Sequence, residues 1–223
     1  MCGRFAMYAP SSAIAEVFGV ALPDLPVLDA RYNIAPTDPV LGVRVSQGAR
    51  VAETFRWGLV PFWARGPKIG ARMINARSET AATSKAFRDA FARRRIVVVA
   101  SGFYEWRAEG GQKQPWFYRR EDEHPMAFAG LWERWHRGAE GIRSCTILTT
   151  NASDLVRPVH DRMPVILPSD RVAAWLDPDV EDPARVQPLL QPYDRDDLVT
   201  YRVSTAVNSA KHDGAKLVEP LQG

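Results

Sequence analysis

Cysteine is nearly missing from this chain: there are two in 223 residues, Cys2 and Cys145. Two cannot build a disulfide framework, and neither lies in a C-x-x-C or similar ligand spacing, which argues against metal binding. Uncharged apolar runs fall well short of the ~20 residues a membrane-spanning helix needs. The one suspect stretch, "AIAEVFGVAL", is interrupted by Glu16 and reads as part of the folded protein rather than as a targeting segment. Internal repeats and low-complexity linkers are lacking too, so the simplest expectation is a single domain over 1–223 in the reducing cytoplasm. Without heptads or an unpartnered apolar helix, the default state is a monomer. A Gly-rich phosphate-cradling loop and a G-x-S-x-G elbow are also missing, and no cofactor is expected.

What is present is enough chain for one sizeable core, with the Pro and Gly content of a turn-rich globular protein. Residues 12–19 fit a short helix capped by Ser11 or Ser12, with Ile14, Val17 and Phe18 inward. Strands are expected at 39–46 and 51–57 around the turn "SQGAR". A helix is expected over 79–94, where Phe87, Ala90 and Phe91 make an i, i+3, i+4 stripe. Apolar strands follow at 95–106, 115–120, 125–132, 142–150 and 164–167, then a helix at 169–176 and a last strand near 198–207. This order predicts an α+β domain, a mostly antiparallel curled sheet or open barrel with a few flanking helices.

The overall charge of +3 is bland, but its distribution is not. Residues 56–107 carry nine Arg and two Lys against Glu79, Asp89 and Glu105, whereas 170–197 carry eight acids against three Arg. Such asymmetry points to one face made for a polyanion, or to a solvated basic helix in "KAFRDAFARRR".

Four segments hold more polar chemistry than a plain core tolerates: "MCGRF", "INARSET", "SGFYEW" and "VHDRMP". Each has a structural reading: Asn75 as a turn residue, Ser78 as a helix cap, Glu105 as a solvent-face or ion-paired residue, and His160 as a loop histidine bonded to its neighbour. Cys145, inside "IRSCTILTT", reads as a small buried hydrophobe. With Met1 removed, however, Cys2 carries an α-amine and a thiol, and Glu and His are the residue types that move protons for such nucleophiles. An Asn can hold an amine or an oxyanion without titrating.

"MCGRF", "RYNIAP", "WGLVPFW", "INARSET", "GFYEW", "GLW", "HDRMPVIL" and "VSTAVN" stand in order from end to end. Together they resemble the SRAP family, the abasic-site processing proteins first described as SOS-response-associated peptidases. Departures are mild: Ser101 stands where Asp is expected, and Val159 where Ile is. The resemblance implies that Cys2 forms a covalent thiazolidine crosslink with abasic sites in single-stranded DNA and at single-strand/double-strand junctions, shielding the lesion during replication. It implies Glu105 as the main acid/base, His160 as an aid to sugar ring-opening, and Asn75 as a holder of the Cys2 amine or a sugar oxygen. Arg77 and Arg162 would clamp flanking phosphates equally, with Arg4 close by, and Trp106, Phe62 and Trp63 would stack on bases, core packing being the other reading of Phe62 and Trp63. An N-terminal-nucleophile cysteine peptidase or amidohydrolase, able to remove its own Met1, is the alternative, and a non-covalent single-strand binder a third. No feature names a recruiting partner in the replication machinery.

Overall fold

A computed structural model describes residues 2–27, 29–136 and 141–221. The chain enters as strand β1 (Arg4–Met7) and turns into helix α1 (Ser11–Phe18). Pro10, in an extended conformation, precedes this helix and no side chain caps it; Gly19 ends it at φ 60°, donating its N–H to the Ala15 carbonyl. Ile14 and Phe18 are the buried residues of its inner face.

Strands β2 (Arg31–Ile34), β3 (Pro39–Ser46), β4 (Ala49–Trp57) and β5 (Asn75–Arg77) follow. The helix expected over 79–94 is two short helices, α2 (Ser78–Ala81) and α3 (Arg88–Arg93). The break begins at Thr83, whose backbone N–H and hydroxyl both donate to the Thr80 carbonyl three residues back; the side-chain bond competes with helix propagation, although the Ser84 N–H still makes the helical bond to that carbonyl. The apolar stretch after it is likewise two strands, β6 (Arg95–Ala100) and β7 (Gly102–Glu109). Ser101 makes the break. Its N–H donates to the Ala6 carbonyl at 2.7 Å, and its hydroxyl oxygen accepts the N–H groups of Tyr8 and Ala9 at 2.9 Å each. An acceptor is all this position needs, so Ser serves where Asp was expected.

The remaining elements are β8 (Gln112–Arg120), β9 (Met126–Trp135), β10 (Ile142–Asn151), β11 (Arg162–Pro164), β12 (Ile166–Leu167), α4 (Ser169–Leu176), α5 (Pro183–Val186) and β13 (Leu198–Arg202). They form two sheets. One has the order β13-β8-β7-β1-β2; the other runs β11-β10-β4-β3-β6-β9-β12, with β5 beside β10. The second sheet curls until β10 pairs with both β4 and β9, closing a five-strand ring. Pairing is antiparallel except that β10 runs parallel to β4 and β5. The expected curled α+β architecture is therefore present, with the curl carried through to closure.

Aromatic side chains fill the space between the sheets. Phe5 packs edge-on against Trp57 at 5.1 Å and against Phe128 at 6.1 Å, all three buried. The Trp57 indole N–H donates to the Ile74 carbonyl at 2.8 Å, fixing the entry to β5. Arg95, 6% exposed, is the other organising residue. Its guanidinium donates to the carbonyls of Phe91 and Ala92 at the end of α3, and to those of Trp175, Asp177 and Val180 around the end of α4. These are carbonyls that helix ends leave without intrahelical partners. Arg95→Leu should therefore lower unfolding stability by about 3 kcal/mol or more, since buried acceptors lose their donor. Arg93→Leu, which removes only an exposed pair with Glu181, should stay within ~0.5 kcal/mol. Urea titrations of both variants check this; equal losses would show that Arg95 is no more than a surface cation.

Candidate functional site

The two sheets meet where the chain begins. Strand β1 pairs with β7 so that Arg4 lies opposite Tyr104, which brings Glu105 alongside the Cys2–Gly3 segment. From the second sheet, β5 runs parallel to β10 with Asn75 opposite Ile147. Its side-chain nitrogen donates to the Cys2 carbonyl at 2.7 Å. Asn75 thus grips the backbone of Cys2, while its side-chain oxygen is buried and lacks a hydrogen-bond partner among the described residues.

A cleft of about 620 Å³ opens over this junction, lined among others by Gly3, Arg4, Glu105, Trp106, Lys113 and His160. Cys2 lies fully buried beside it. Burial pushes the Cys2 thiol well above its ordinary range, and the Glu105 charge pushes it further in the same direction. Glu105 is 2% exposed, and burial raises its carboxyl to about 7. A carboxyl poised there exchanges protons in both directions at neutral pH. His160 is half-buried just before β11, and burial lowers its pKa. Its Nδ1 accepts the Arg162 backbone N–H at 2.9 Å, which places the proton of the neutral ring on Nε2; the exposed Asp161 carboxylate, also 2.9 Å from Nδ1, becomes a partner when the ring is protonated.

Four of the expected site residues, Arg4, Glu105, Trp106 and His160, therefore line one cleft, with Cys2 and Asn75 joined to it. The other four do not line it. Arg77 is exposed at the end of β5, its side chain without a hydrogen bond or ion pair among the described residues. Arg162 is in a different situation. Its guanidinium is engaged by both Glu79 oxygens, at 2.7 and 2.9 Å, by Asn151 at 3.0 Å and by the Thr149 carbonyl at 2.6 Å. This pairing holds the Glu79 carboxyl below its ordinary range. Phe62 and Trp63 are 53% and 38% exposed, so core packing is not their role; Lys85 sits over the Trp63 ring at 5.6 Å. Phe62 instead lines a separate cavity with Arg94 and Trp132.

The basic stretch is also less available than its charge suggests. Arg88, Arg93 and Arg94 pair with Asp89, Glu181 and Glu133, and Arg95 is internal. Arg65, Lys68, Arg72, Arg77 and Lys85 remain exposed without ion pairs among the described residues. Three residues of the site were not singled out from sequence: Asn33, Lys113 and Asn208. Asn208 accepts the Trp106 indole N–H at 2.6 Å and donates to the Lys113 carbonyl at 3.2 Å. Asn33 and Asn208 lie inside "RYNIAP" and "VSTAVN", so the signal existed without a role attached; Lys113 carried none.

Residues 1–210 match the family described as SOS response associated peptidase (SRAP). The chain belongs to the SRAP family. It is 40% identical over 224 residues to the abasic site processing protein YoqW of Bacillus subtilis, covering 98% of this chain and 99% of that one. It is 29% identical to the abasic site processing protein YedK of Escherichia coli, over 99% of this chain and 100% of the relative. Among solved structures, a protein from Bacteroides thetaiotaomicron superposes with a TM-score of 0.86 at 25% identity, covering 99% and 100% of the two chains.

The geometry separates the two arginines that the SRAP motifs treat alike. Arg77→Ala should lower the salt slope of DNA binding by about 0.7–0.9, the release expected for one phosphate contact. Arg162→Ala should change it less, because Glu79 already neutralises that cation, while costing more in thermal stability. Affinity titrations across a salt series, paired with melting curves, test the order; equal slopes with equal melting points would contradict it.

Proposed function

We propose that this SRAP protein captures abasic sites in single-stranded DNA as a covalent thiazolidine on Cys2. The observation that carries the reading is the placement of Cys2: its carbonyl gripped by Asn75, beside a carboxyl raised to about 7, at the edge of an open cleft. The names of the relatives, as abasic site processing proteins, support the choice of substrate.

With Met1 removed, the Cys2 amine adds to the aldehyde carbon of the ring-opened deoxyribose, giving a carbinolamine. Protonated Glu105 gives its proton to the departing hydroxyl, water leaves, and the nitrogen's proton returns to the Glu105 carboxylate, giving the imine. The thiol then adds across the C=N bond, sulfur to carbon and proton to nitrogen, closing a five-membered ring. The sum is one aldehyde, one aminothiol and one water released. An α-amine with a reference pKa near ~8 is partly neutral at physiological pH, unlike a lysine near ~10.4. His160, with its neutral-ring proton on Nε2, is suited to aid opening of the sugar ring. Arg4, Lys113 and Arg77 supply sequence-independent phosphate contacts, and Trp106 a stacking face. Arg162 reaches a phosphate only by releasing Glu79.

The peptidase reading begins with a thiolate, and here burial favours the neutral thiol. Amine attack needs no thiolate, which favours the DNA reading. A gel with an abasic oligonucleotide decides among the readings: covalent capture gives a heat-stable band, peptidase chemistry none, and simple binding a shift lost on denaturation. Cys2→Ser should leave only a borohydride-trappable imine. Protein shown by intact mass to retain a residue before Cys2 should bind abasic DNA reversibly without crosslinking, because an amide nitrogen cannot form the imine.

Glu105 sets the pH dependence. Its raised pKa predicts an inflection near pH 7 in the crosslinking rate, because its protonated fraction falls as pH rises through that value. Glu105→Gln should slow formation and reversal by ~10²–10⁴ and remove that inflection. Single-turnover rates between pH 5 and 9 give the measurement, roughly bracketing the transition. An unchanged profile in the variant would assign the inflection to another group.

A further inference from the structure

We propose that Asn33 is a positioning residue for the DNA reaction, holding Arg4 at the cleft by joining it to the C-terminal segment 203–213. The proposal deepens the reading of function above and rests on it for the identity of the anion. Asn33 is 1% exposed, near the end of β2, in a motif the catalytic assignment leaves without a role.

Its carboxamide faces two chemically opposite neighbours. On one side the side-chain oxygen accepts from Arg4 Nη1 at 2.7 Å. On the other the side-chain nitrogen donates to the carbonyls of Val207, Ser209 and His212 at 3.3, 3.0 and 2.8 Å. The Val207 carbonyl also accepts from Arg4 Nη1, at 2.9 Å. A guanidinium can only donate and a carbonyl can only accept, so the orientation of the amide is fixed by its surroundings. Asp in this position would set a carboxylate against three carbonyl oxygens, and an apolar residue would leave buried polar groups without partners. Asn matches both sides.

The consequence is that the cleft cation is held from behind by a distant part of the chain. Asn33 and Val207 fix one nitrogen of Arg4, which lines the cleft together with Glu105 and His160. Burial lowers the Arg4 pKa, a cost that the Asn33 and Val207 oxygens offset by solvating the charge. The same segment reaches the opposite wall, where Asn208 fixes the Trp106 indole. Asp213 anchors its far end, accepting from Arg31 at 2.5 Å and from the Tyr32 backbone at 2.7 Å. Asn33 need not touch DNA; it acts through the orientation of Arg4.

The test is a double-mutant cycle on reversible binding, using single-stranded DNA that carries a reduced abasic site that cannot form an imine. Arg4→Ala should weaken binding about fivefold at 0.1 M salt and lower the salt slope by about 0.7, as for one single-strand phosphate contact. Asn33→Ala should reproduce most of both effects. In the Arg4→Ala background it should add nothing further, because the residue it acts through is gone. Should Asn33→Ala fail to fold, Asn33→Ser replaces it: its hydroxyl can still donate to one of the buried carbonyls but is too short to hold Arg4 as well, and the slope should fall by a similar amount. Additive losses in the double variant, or a wild-type slope in whichever Asn33 variant folds, would overturn the proposal. Failure of the wild-type protein to crosslink an unreduced abasic site would defeat the function reading instead, and leaves this coupling measurable.

Discussion

The hydrogen bond from Asn75 to the Cys2 carbonyl, at 2.7 Å, is the constraint on which the site depends. Chain termini are ordinarily mobile, and a reactive group there would be poorly aimed. Here the second residue is tied to the opposite sheet, and the tie is itself supported. Trp57 donates to the carbonyl of Ile74, so the strand bearing Asn75 cannot shift without breaking a buried bond. The same indole packs against Phe5, one residue beyond Arg4. One buried tryptophan therefore sets the relation between β1 and β5, and the relation of Cys2 to Asn75 follows from it.

Arg95 and Glu105 are both buried, to opposite ends. Arg95 has carbonyl acceptors spread around its guanidinium, so burial joins α3 and α4 to the ring of strands. Glu105 is buried without compensation sufficient to keep its carboxyl in the usual range, and it rises to about 7. The first arrangement organises packing. The second holds a group destabilised as an anion, which is what proton exchange at neutral pH requires. Burial alone does not distinguish structure from chemistry; what the buried group faces does, helix-end carbonyls for Arg95 and an open cleft for Glu105.

Much of this was legible in the chain. The apolar strands, the helix at 169–176 and the turn between β3 and β4 follow from local pattern, and the motif set pointed to Cys2, Asn75, Glu105 and His160 together. What escaped was non-local. The helix expected over 79–94 breaks at Thr83, ahead of its apolar stripe at Phe87, Ala90 and Phe91, since side-chain competition with the backbone is invisible to periodicity. Ser101 divides a continuous apolar run because its partners, Tyr8 and Ala9, are ninety residues away in sequence. Arg162 looks in sequence like Arg77, and only the fold reveals that Glu79 occupies it. The charge of the basic stretch misled for the same reason: three of its arginines are matched by acids, two of them contributed by distant segments.

The dispersal of the motifs along the chain has a physical cause in the seam between the sheets. A site inside one sheet can be assembled from neighbouring strands of a single hairpin. A site at the meeting of two sheets needs residues from the margins of each, and those margins are far apart in sequence. Cys2 and Arg4 come from β1 and its approach, Glu105 from β7, Asn75 from β5, His160 from the turn before β11, and Asn33 and Val207 from β2 and the segment after β13. Several of these groups are held by a partner from another segment: Cys2 by Asn75, and Arg4 by Asn33 and Val207. Removing such a segment therefore loosens groups it does not itself carry, so the cleft holds together as one cooperative unit rather than as a reactive cysteine with accessories.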